Sequence, residues 1–555
     1  MLQWLKNMLP STPKATGREA MIQSIAEAYR LARRDRPGQG YQPLAYSGDA
    51  AVLNSHDMMH RRTRDLCRNS SQAKRIVNAS VNLIIGTGMR TYAWPFLPSE
   101  MFEIVTELEA IEKGSLGPRL SYALESDDLF DEWSSDAKQF DVEGRLSWAE
   151  MQRMLVSESA QVGNGLLVRS FSPGAGMVPL QYQLLEREQL DQTADRPAAP
   201  GQNKIVGGVE TDGRNRVVAY HIWVDHPHDF VGVTNGTLVG IGLTVASGGK
   251  RMRLPADRVI DLAVYSRPSA SLGVSWLDAC GQGIWDRDSY MDSEIRSAAV
   301  DAVFSFVAKL NDAEKYGALG FDDDLDDDDD YGNRMYKVGH SPVASVIGTD
   351  EELQMVRQTR PNKDAPPFIR LLDHDIASAT PISYFTLTGD YSSANFSSSR
   401  AAKMDEDQAI QPLQLWFAQR AALRVRREFN AIAAASGLFS SVTPAEFLRN
   451  ERTYQRFDAI GNGRDLLDPF KEGEARTARM RTGISTFKEE CAKVGKHWIR
   501  VLMQIAVERK VSDLFGVDLD FSKSGSGSSS APPQQDADQQ AQEIADRVAM
   551  LLNDA

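Results

Sequence analysis

Apolar residues recur at helical spacing in two long segments of this chain. The first runs from Trp276 to Leu310, and its stripe of small and large apolar side chains repeats every three or four residues: Met291, Ile295, Ala298, Ala302 and Phe306. The second starts after Ser399 and continues to about Ala435, with an apolar face formed by Ile410, Leu413, Phe417 and Ala421. We expect Pro412 to kink or divide the second helix, because its ring removes a backbone donor.

Shorter helical patterns surround these two. One runs from His56 to Ile85 and stops at Gly86-Thr87-Gly88. Further helices are predicted near Phe130–Phe140, Trp148–Val162, Pro366–Ala379, Glu474–Arg481 and Phe487–Arg509. The helix from His56 is rich in arginine, which fits a nucleic-acid contact, although a solvated or interchain salt-bridged face is favoured.

Between Pro179 and Leu262 the pattern changes to short β-prone runs separated by glycine turns. Val217–Trp223 and Arg258–Leu262 are the clearest, and a further strand begins at Gly165. Because no helices alternate with these strands, an antiparallel α+β fold is favoured over repeated βαβ units.

A turn-rich segment separates the two halves of the helical pattern. It follows the aromatic, β-prone run Tyr384–Leu387, and Ser397 to Ser399 stand where a helix N-cap is expected. The candidate site residues are Thr388, Gly389, Asp390, Tyr391, Ser392, Ser393 and Asn395. Such a loop can project backbone into a site or a channel, and an ordinary surface loop fits the same residues.

Composition narrows the function classes. The chain has 555 residues, 42% of them apolar, and a formal net charge of −14. The length predicts two to four domains, and the negative charge argues against a protein built to grip phosphate backbones. Three widely spaced cysteines indicate neither disulfides nor a zinc site, and no apolar run is long enough to span a membrane.

An aspartate run is the most biased part of the sequence. It comprises Asp322, Asp323, Asp324, Asp326, Asp327, Asp328, Asp329 and Asp330. The run lacks the glycine and terminal glutamate of an EF-hand loop, so an exposed, hydrated loop is favoured over a cation site.

No catalytic, metal or cofactor site is predicted. The chain has no phosphate-binding GxxxxGK[ST] loop, no GxSxG and no HExxH motif. The group Asp225-His226-Pro227-His228-Asp229 has metal-ligand chemistry, but neighbours on one proline-containing turn rarely converge on an ion, and a polar loop is favoured.

Several separated motifs resemble the portal proteins of tailed bacteriophages, in particular the lambda-like portal family. The most specific are in the turn-rich segment: Tyr384, Gly389–Ser392 and Asn395–Arg400. Others stand in the same order along most of the chain: Arg64–Ser70, Gly86–Gly88, Trp133, Gly163, Gly208–Gly213, Pro255–Ile260, Tyr265–Pro268, Gly273–Trp276, Asp468-Pro469 and Gly483–Thr486. The sequence departs from the pattern at Asp261, where histidine is expected, at Arg267-Pro-Ser-Ala-Ser, and at Lys496-His497, where aspartate is usual.

The resemblance implies a multidomain α+β portal fold assembled as a ring. On that basis we expect an N-terminal arm (1–55), a wing (56–275), a stem helix (276–310), a clip (311–365), a second stem helix (366–379), a tunnel loop (380–398), a long wing helix (399–436), a crown (437–523) and a flexible tail (524–555). The candidate loop residues would then face DNA, and the aspartate run would face a partner in the clip.

The resemblance also implies a function without enzymatic activity. The expected role, for which no cofactor is implied, is the ring channel at one capsid vertex through which viral DNA enters during packaging and leaves on ejection. Implied partners are about twelve copies of the chain, non-specific double-stranded DNA, the terminase large subunit, major capsid and scaffold proteins, and head-completion or neck proteins, with no membrane. Assembly would take place in the host bacterial cytoplasm. A capsid or head-maturation protein, or a terminase component without ATPase activity, is the alternative.

Overall fold

The structure is a computed structural model of the chain. It describes residues 47–53, 55–97, 117–174, 176–227, 250–303, 335–338, 341–345, 365–392, 394–463 and 468–515. The aspartate run, the arm before residue 47 and the tail after residue 515 lie outside the described residues, as do His228 and Asp229.

Helices account for most of the ordered elements. In the first half they are α1 (Gly48–Leu53), α2 (His56–Asn69), α3 (Ser71–Ile84), α4 (Pro118–Ser135), α5 (Ala137–Phe140), α6 (Trp148–Val162) and α7 (Gly281–Val303). In the second half they are α8 (Ala365–Ser378), α9 (Tyr384–Thr388), α10 (Phe396–Phe417), α11 (Leu423–Ala435), α12 (Pro444–Arg449), α13 (Glu451–Tyr454), α14 (Pro469–Arg481), α15 (Phe487–Lys493) and α16 (Trp498–Phe515). None of the helices in the described ranges is long and apolar enough to cross a membrane.

The strands form small antiparallel sheets, which confirms a mixed fold of helices and antiparallel strands. They are β1 (Arg90–Ala93), β2 (Asn164–Phe171), β3 (Leu180–Leu185), β4 (Lys204–Val206), β5 (Val209–Thr211), β6 (Val217–Trp223), β7 (Arg251–Pro255), β8 (Val259–Ala263), β9 (Met335–Val338), β10 (Ser341–Ser345) and β11 (Phe457–Ile460). Their order is β3-β2-β8 in one sheet, β4-β5-β6-β7 in a second, and β1-β11 and β9-β10 in two pairs.

Aromatic side chains hold the largest core together. Trp133 of α4 is fully buried and stacks on Phe429 of α11 with ring centroids 4.8 Å apart. Phe140 and Tyr182 pack on the same cluster, at 4.8 Å and 6.3 Å from Trp133. The long helix α10–α11 is thereby fixed against α4, α6 and the β2–β3 hairpin.

Several predicted elements differ from the structure in their limits. The helix predicted from His56 is divided at Ser70, whose extended backbone (ψ 127°) ends α2 and begins α3. The helix predicted from Trp276 begins only at Gly281, and positions 304–310 lie outside the described residues. The predicted helix Phe487–Arg509 is interrupted at residues 494–497, where Gly495 takes a φ of +74°.

Pro412 does not divide the long helix. Helix α10 continues through it to Phe417, and the irregularity lies further on, in a π-helical turn at Ala418–Ala422. The expected apolar face is confirmed, since Ile410, Phe417 and Ala421 are all buried.

The aspartate that replaces the expected histidine is part of a buried polar group. Asp261 accepts hydrogen bonds from Asn164 Nδ2 (2.8 Å) and from the Tyr220 hydroxyl (3.3 Å). Burial raises the pKa of Asp261. Because β2, β6 and β8 each contribute one partner, this group joins the two larger sheets.

His497 joins the C-terminal helices to β1. Its ring stacks on Tyr92 at 4.5 Å and lies 6.5 Å from Trp94. Among the described residues neither ring nitrogen has a hydrogen-bond partner. Burial, together with the nearby charges of Lys488 and Arg500, lowers the pKa of His497 to about 4, while the carboxylate of Asp458 opposes this shift.

We predict that acid weakens this junction. Between pH 6.5 and 4 the unfolded chain takes up a proton at His497 that the folded chain does not, so the free energy of unfolding falls as the pH drops through this window. The loss should reach about 3 kcal/mol at the acid end, because each pKa unit corresponds to about 1.4 kcal/mol. Urea unfolding followed by tryptophan fluorescence measures this loss.

His497→Phe is the matched control, because it keeps the ring on Tyr92 but cannot titrate. The difference in unfolding free energy between parent and variant should change across the window. Parallel pH curves for the two proteins would contradict the prediction.

Candidate tunnel loop

The candidate loop is held between two helices that are each capped by a side chain. Ser383 Oγ accepts a hydrogen bond from the Thr386 N–H over 3.2 Å and so begins α9. The helix ends at Gly389, whose φ is +71° and whose N–H donates to Phe385 O over 2.8 Å. Residues Tyr384–Leu387, predicted as β-prone, are therefore helical, because the caps at both ends outweigh the aromatic composition.

Asn395, and not one of the following serines, is the N-cap of α10. Its Oδ1 accepts from the Ser398 N–H over 2.8 Å, and its own N–H donates to Ser398 Oγ over 3.0 Å. This reciprocal pair is a capping box, which starts the helix at Phe396 and leaves residues 389–395 as the loop.

Hydrogen bonds within the loop give it a defined shape. The Thr388 hydroxyl donates to Tyr384 O (2.9 Å) and accepts from the Asp390 N–H (3.1 Å). Asp390 Oδ1 in turn accepts from the Ser392 N–H over 2.9 Å. These bonds from Ser392 lower the pKa of Asp390, so its carboxylate is charged at neutral pH.

Aromatic rings project from this frame. Phe385 and Tyr391 stack at 5.5 Å, yet Tyr391 remains 59% exposed. Phe396, at the first position of α10, is 58% exposed. The tip of the loop thus presents ring faces, hydroxyl groups and one carboxylate to the surroundings.

Three distant residues anchor the loop to the rest of the fold. Arg75 Nε donates to Thr386 O over 2.9 Å, Glu406 Oε1 accepts from the Ser383 N–H over 2.9 Å, and Arg370 lies 3.6 Å from Asp390. These anchors were not predicted from the sequence. Only Arg75 belongs to a feature noted there, the arginine-rich segment from His56 to Ile85, for which a solvated or salt-bridged face was favoured.

The structure brings together most of the predicted loop residues. Thr388, Gly389, Asp390 and Ser392 form one hydrogen-bonded unit with Tyr391 at its surface, while Asn395 belongs to the next helix. Ser393 lies outside the described residues.

No group of three or more metal-ligand side chains is found in the described part of the chain. Of the candidate metal cluster, His226 Nε2 lies 3.2 Å from Glu186 Oε2. The loop is therefore an anchored, exposed surface whose rings, hydroxyl groups and carboxylate are suited to contact with another molecule.

Comparison with known proteins identifies the family. The model of the "Phage portal protein, lambda family" matches residues 34–414, which is more than half of the chain and includes the whole loop. The chain belongs to the lambda family of phage portal proteins. Portal proteins of this family are structural proteins without enzymatic activity, and their place is the head–tail connector of the virion.

A curated relative agrees with this assignment. The portal protein of Escherichia phage N15 is 20% identical over 501 residues, which cover 86% of this chain and 89% of that protein. The resemblance to lambda-like portal proteins drawn from the sequence motifs is therefore confirmed.

Two solved structures are also similar to this chain. One is described as the neck of an empty GTA particle computed with C6 symmetry, with 14% identity, 79% of this chain and 94% of that chain covered, and a TM-score of 0.37. The other is the neck of a native GTA particle computed with C12 symmetry, with 13% identity, the same coverage and a TM-score of 0.34. The family assignment does not depend on them.

Proposed function

We propose that this portal protein forms a ring, of about twelve subunits, through which double-stranded DNA enters the capsid and later leaves it. The observation that carries this proposal is the match to the lambda portal family over residues 34–414. The ring would occupy one vertex of the virion and would assemble in the host cytoplasm.

We propose the same division of the chain that the resemblance implied, and we assign the observed elements to it. Helices α7 and α8 would form the stem pair. The segment between them, which includes the aspartate run, would form the clip. Residues 389–395 would form the tip of the tunnel loop. The crown begins after α11, although β11 pairs with β1 of the wing from Arg90↔Ile460 to Ala93↔Phe457. Residues 437–460 are thus packed together with the wing.

The stem helices support assembly with further copies. Arg287 of α7 and Asp373 of α8 form an ion pair at 2.7 Å that joins the two helices. Apolar side chains on both helices nevertheless stay exposed in one subunit: Trp285 56%, Ile295 62%, Phe368 45% and Leu371 66%. Burial of these faces between neighbouring subunits would stabilise a ring.

Charge supports a channel that passes DNA without holding it. The chain carries a net charge of −14, and no lysine or arginine stands between Thr388 and Asn395. Asp390 is ionised and only partly screened by Arg370 at 3.6 Å, and the loop itself carries no cation, so the loop would repel phosphate and tight contacts with the backbone would not form at the narrowest point.

Partners follow from the same role. We propose that the clip first docks the terminase large subunit and then head-completion or neck proteins, with the aspartate run as a partner-facing surface. The wing would contact major capsid and scaffold proteins.

Purified protein should form closed rings visible by negative-stain microscopy and by native mass spectrometry. The exposed stem faces give the reason, because a lone subunit would leave them in water. A variant with Trp285→Asp and Leu371→Asp should assemble less well than one with the same change at exposed Leu448, outside the stem. A parent chain that stays monomeric at micromolar concentration contradicts the proposal.

A further inference from the structure

A basic cleft lies beside the helix that follows the tunnel loop. It encloses about 420 Å³ between α10, the turn after β11, α14 and α15. Five cationic side chains line it: Arg400, Lys403, Arg476, Arg479 and Lys493. The chain as a whole has a net charge of −14, so this cleft differs in sign from the overall charge of the protein.

The cations outnumber the carboxylates around them. Arg476, Arg479 and Lys493 all converge on Glu490, at 3.6 Å, 3.7 Å and 2.7 Å. The Glu490 side chain is only 6% exposed. Although burial raises its pKa, the hydrogen bonds from Lys493 and Ser485 lower it more, so the carboxylate is ionised and its pKa lies below the usual value.

One carboxylate neutralises one of these three cations. The remaining carboxylates of the cleft are Asp407 on α10 and Glu472 on α14. Five lining cations therefore outnumber the two lining carboxylates and the neighbouring Glu490 together. Arg479 and Lys493 keep 45% and 51% of their side chains exposed, so their charged ends can reach a ligand.

We infer that this cleft binds the phosphate backbone of double-stranded DNA. This inference rests on the proposed channel function and adds a second contact to it, next to the loop. Arg400 follows Asn395 by five residues, which places it about 7.5 Å along the helix axis from the end of the loop. DNA that passes the repelling loop would then meet a weakly attracting surface.

The lining residues favour duplex DNA over other polyanions. Among the described residues that line the cleft there is no aromatic side chain. Single-stranded DNA is bound largely by stacking of its bases on aromatic rings, and peptides are usually anchored by aromatic or other large apolar side chains in a pocket. Contacts between cationic side chains and phosphates need no aromatic or large apolar side chain.

The salt dependence of DNA binding tests the inference. Assembled rings are titrated with a short fluorescent duplex at a series of salt concentrations, and the logarithm of the binding constant is plotted against that of the salt concentration. Arg479→Ala with Lys493→Ala should lower the magnitude of the slope by about 1.8, because each lost phosphate contact contributes about 0.9.

Two further variants keep the test specific. Arg449→Ala with Arg452→Ala removes two exposed arginines outside the cleft and should leave the slope unchanged. Arg479→Lys with Lys493→Arg keeps the charge beside Glu490 and should retain the parent slope, which separates lost binding from lost folding.

The inference is overturned if the alanine pair in the cleft binds DNA with the parent slope, or if the control pair loses as much. Tighter binding of a single strand or of an oligo-aspartate peptide than of the duplex also overturns it. Because the measurement uses rings seen by microscopy, these outcomes leave the proposed function intact, whereas absence of rings contradicts the proposed function.

Discussion

Replacing Asp127 by alanine should destabilise the fold by about 3–5 kcal/mol, the largest effect expected of a single substitution here. Asp127 Oδ1 accepts from Arg426 Nη2 over 2.7 Å and from the Ala93 N–H over 2.8 Å. The Arg426 side chain is completely buried and lies 4.4 Å from the centroid of Phe130. Without the carboxylate its charge has no adequate compensation away from water.

The ionisation of Asp127 supports this expectation. Burial raises its pKa to about 6, while the charges of Arg426 and Arg500 and the Ala93 N–H oppose that rise. At pH 7 the carboxylate is therefore mostly charged, and the pair with Arg426 is ionic. Urea unfolding at one fixed protein concentration measures the effect, since assembly shifts apparent stability.

Two variants distinguish a buried unpaired charge from general damage to α4. Asp128→Ala removes the next residue, whose side chain is 74% exposed beside Arg500, and should cost less than about 1 kcal/mol. Asp127→Leu combined with Arg426→Met removes both charges and should recover part of the loss. If Asp127→Ala is no worse than Asp128→Ala, the ion pair does not stabilise the fold as argued.

Elements with a strong local pattern could be predicted from the sequence. Helix Trp148–Val162 and strand Val217–Trp223 have the predicted limits. The helix is bounded by a capping box at Ser147 and by Gly163 in the left-handed conformation, so its ends are encoded by neighbouring residues. Where periodicity and caps agree, the sequence is sufficient.

Pairings between distant residues could not be predicted. No strand was predicted at β11, and it becomes a strand because β1, far away in the sequence, offers a partner. Arg426 and Asp127 are likewise 299 residues apart, and nothing near either residue shows that the arginine is buried. One sequence carries no record of which distant groups meet.

The candidate loop contains one feature that was predicted from the sequence and others that were not. Glycine and aspartate in Gly389-Asp390 predicted a turn, and the turn is present. The helix before it was misread because Tyr384–Leu387 has a β-prone composition, and the anchoring bond from Arg75 spans 311 residues. The basic cleft was missed because its cations come from three separate helices.

Deleting Thr388 to Ala394 should leave ring assembly intact but reduce packaging or retention of the genome by at least an order of magnitude. The residues that would face DNA at the tip, including Asp390 and Tyr391, are removed. The deletion removes the last residue of α9 and its Gly389 cap, but the bond between Glu406 and Ser383 and that between Arg75 and Thr386 lie outside it and still anchor the start of the segment. Rings are counted by microscopy, and nuclease-protected DNA is measured in purified heads.

A loop of the same length made of glycine and serine separates shape from chemistry. It keeps the connection between α9 and α10 but lacks the carboxylate, the exposed ring and the hydrogen bonds that order the segment. If the tip acts through these side chains, the glycine–serine loop should fail as the deletion does; if it acts only by narrowing the channel, this variant should retain more DNA than the deletion. If heads of the deletion variant package and hold their genome normally, these residues are not the tunnel loop.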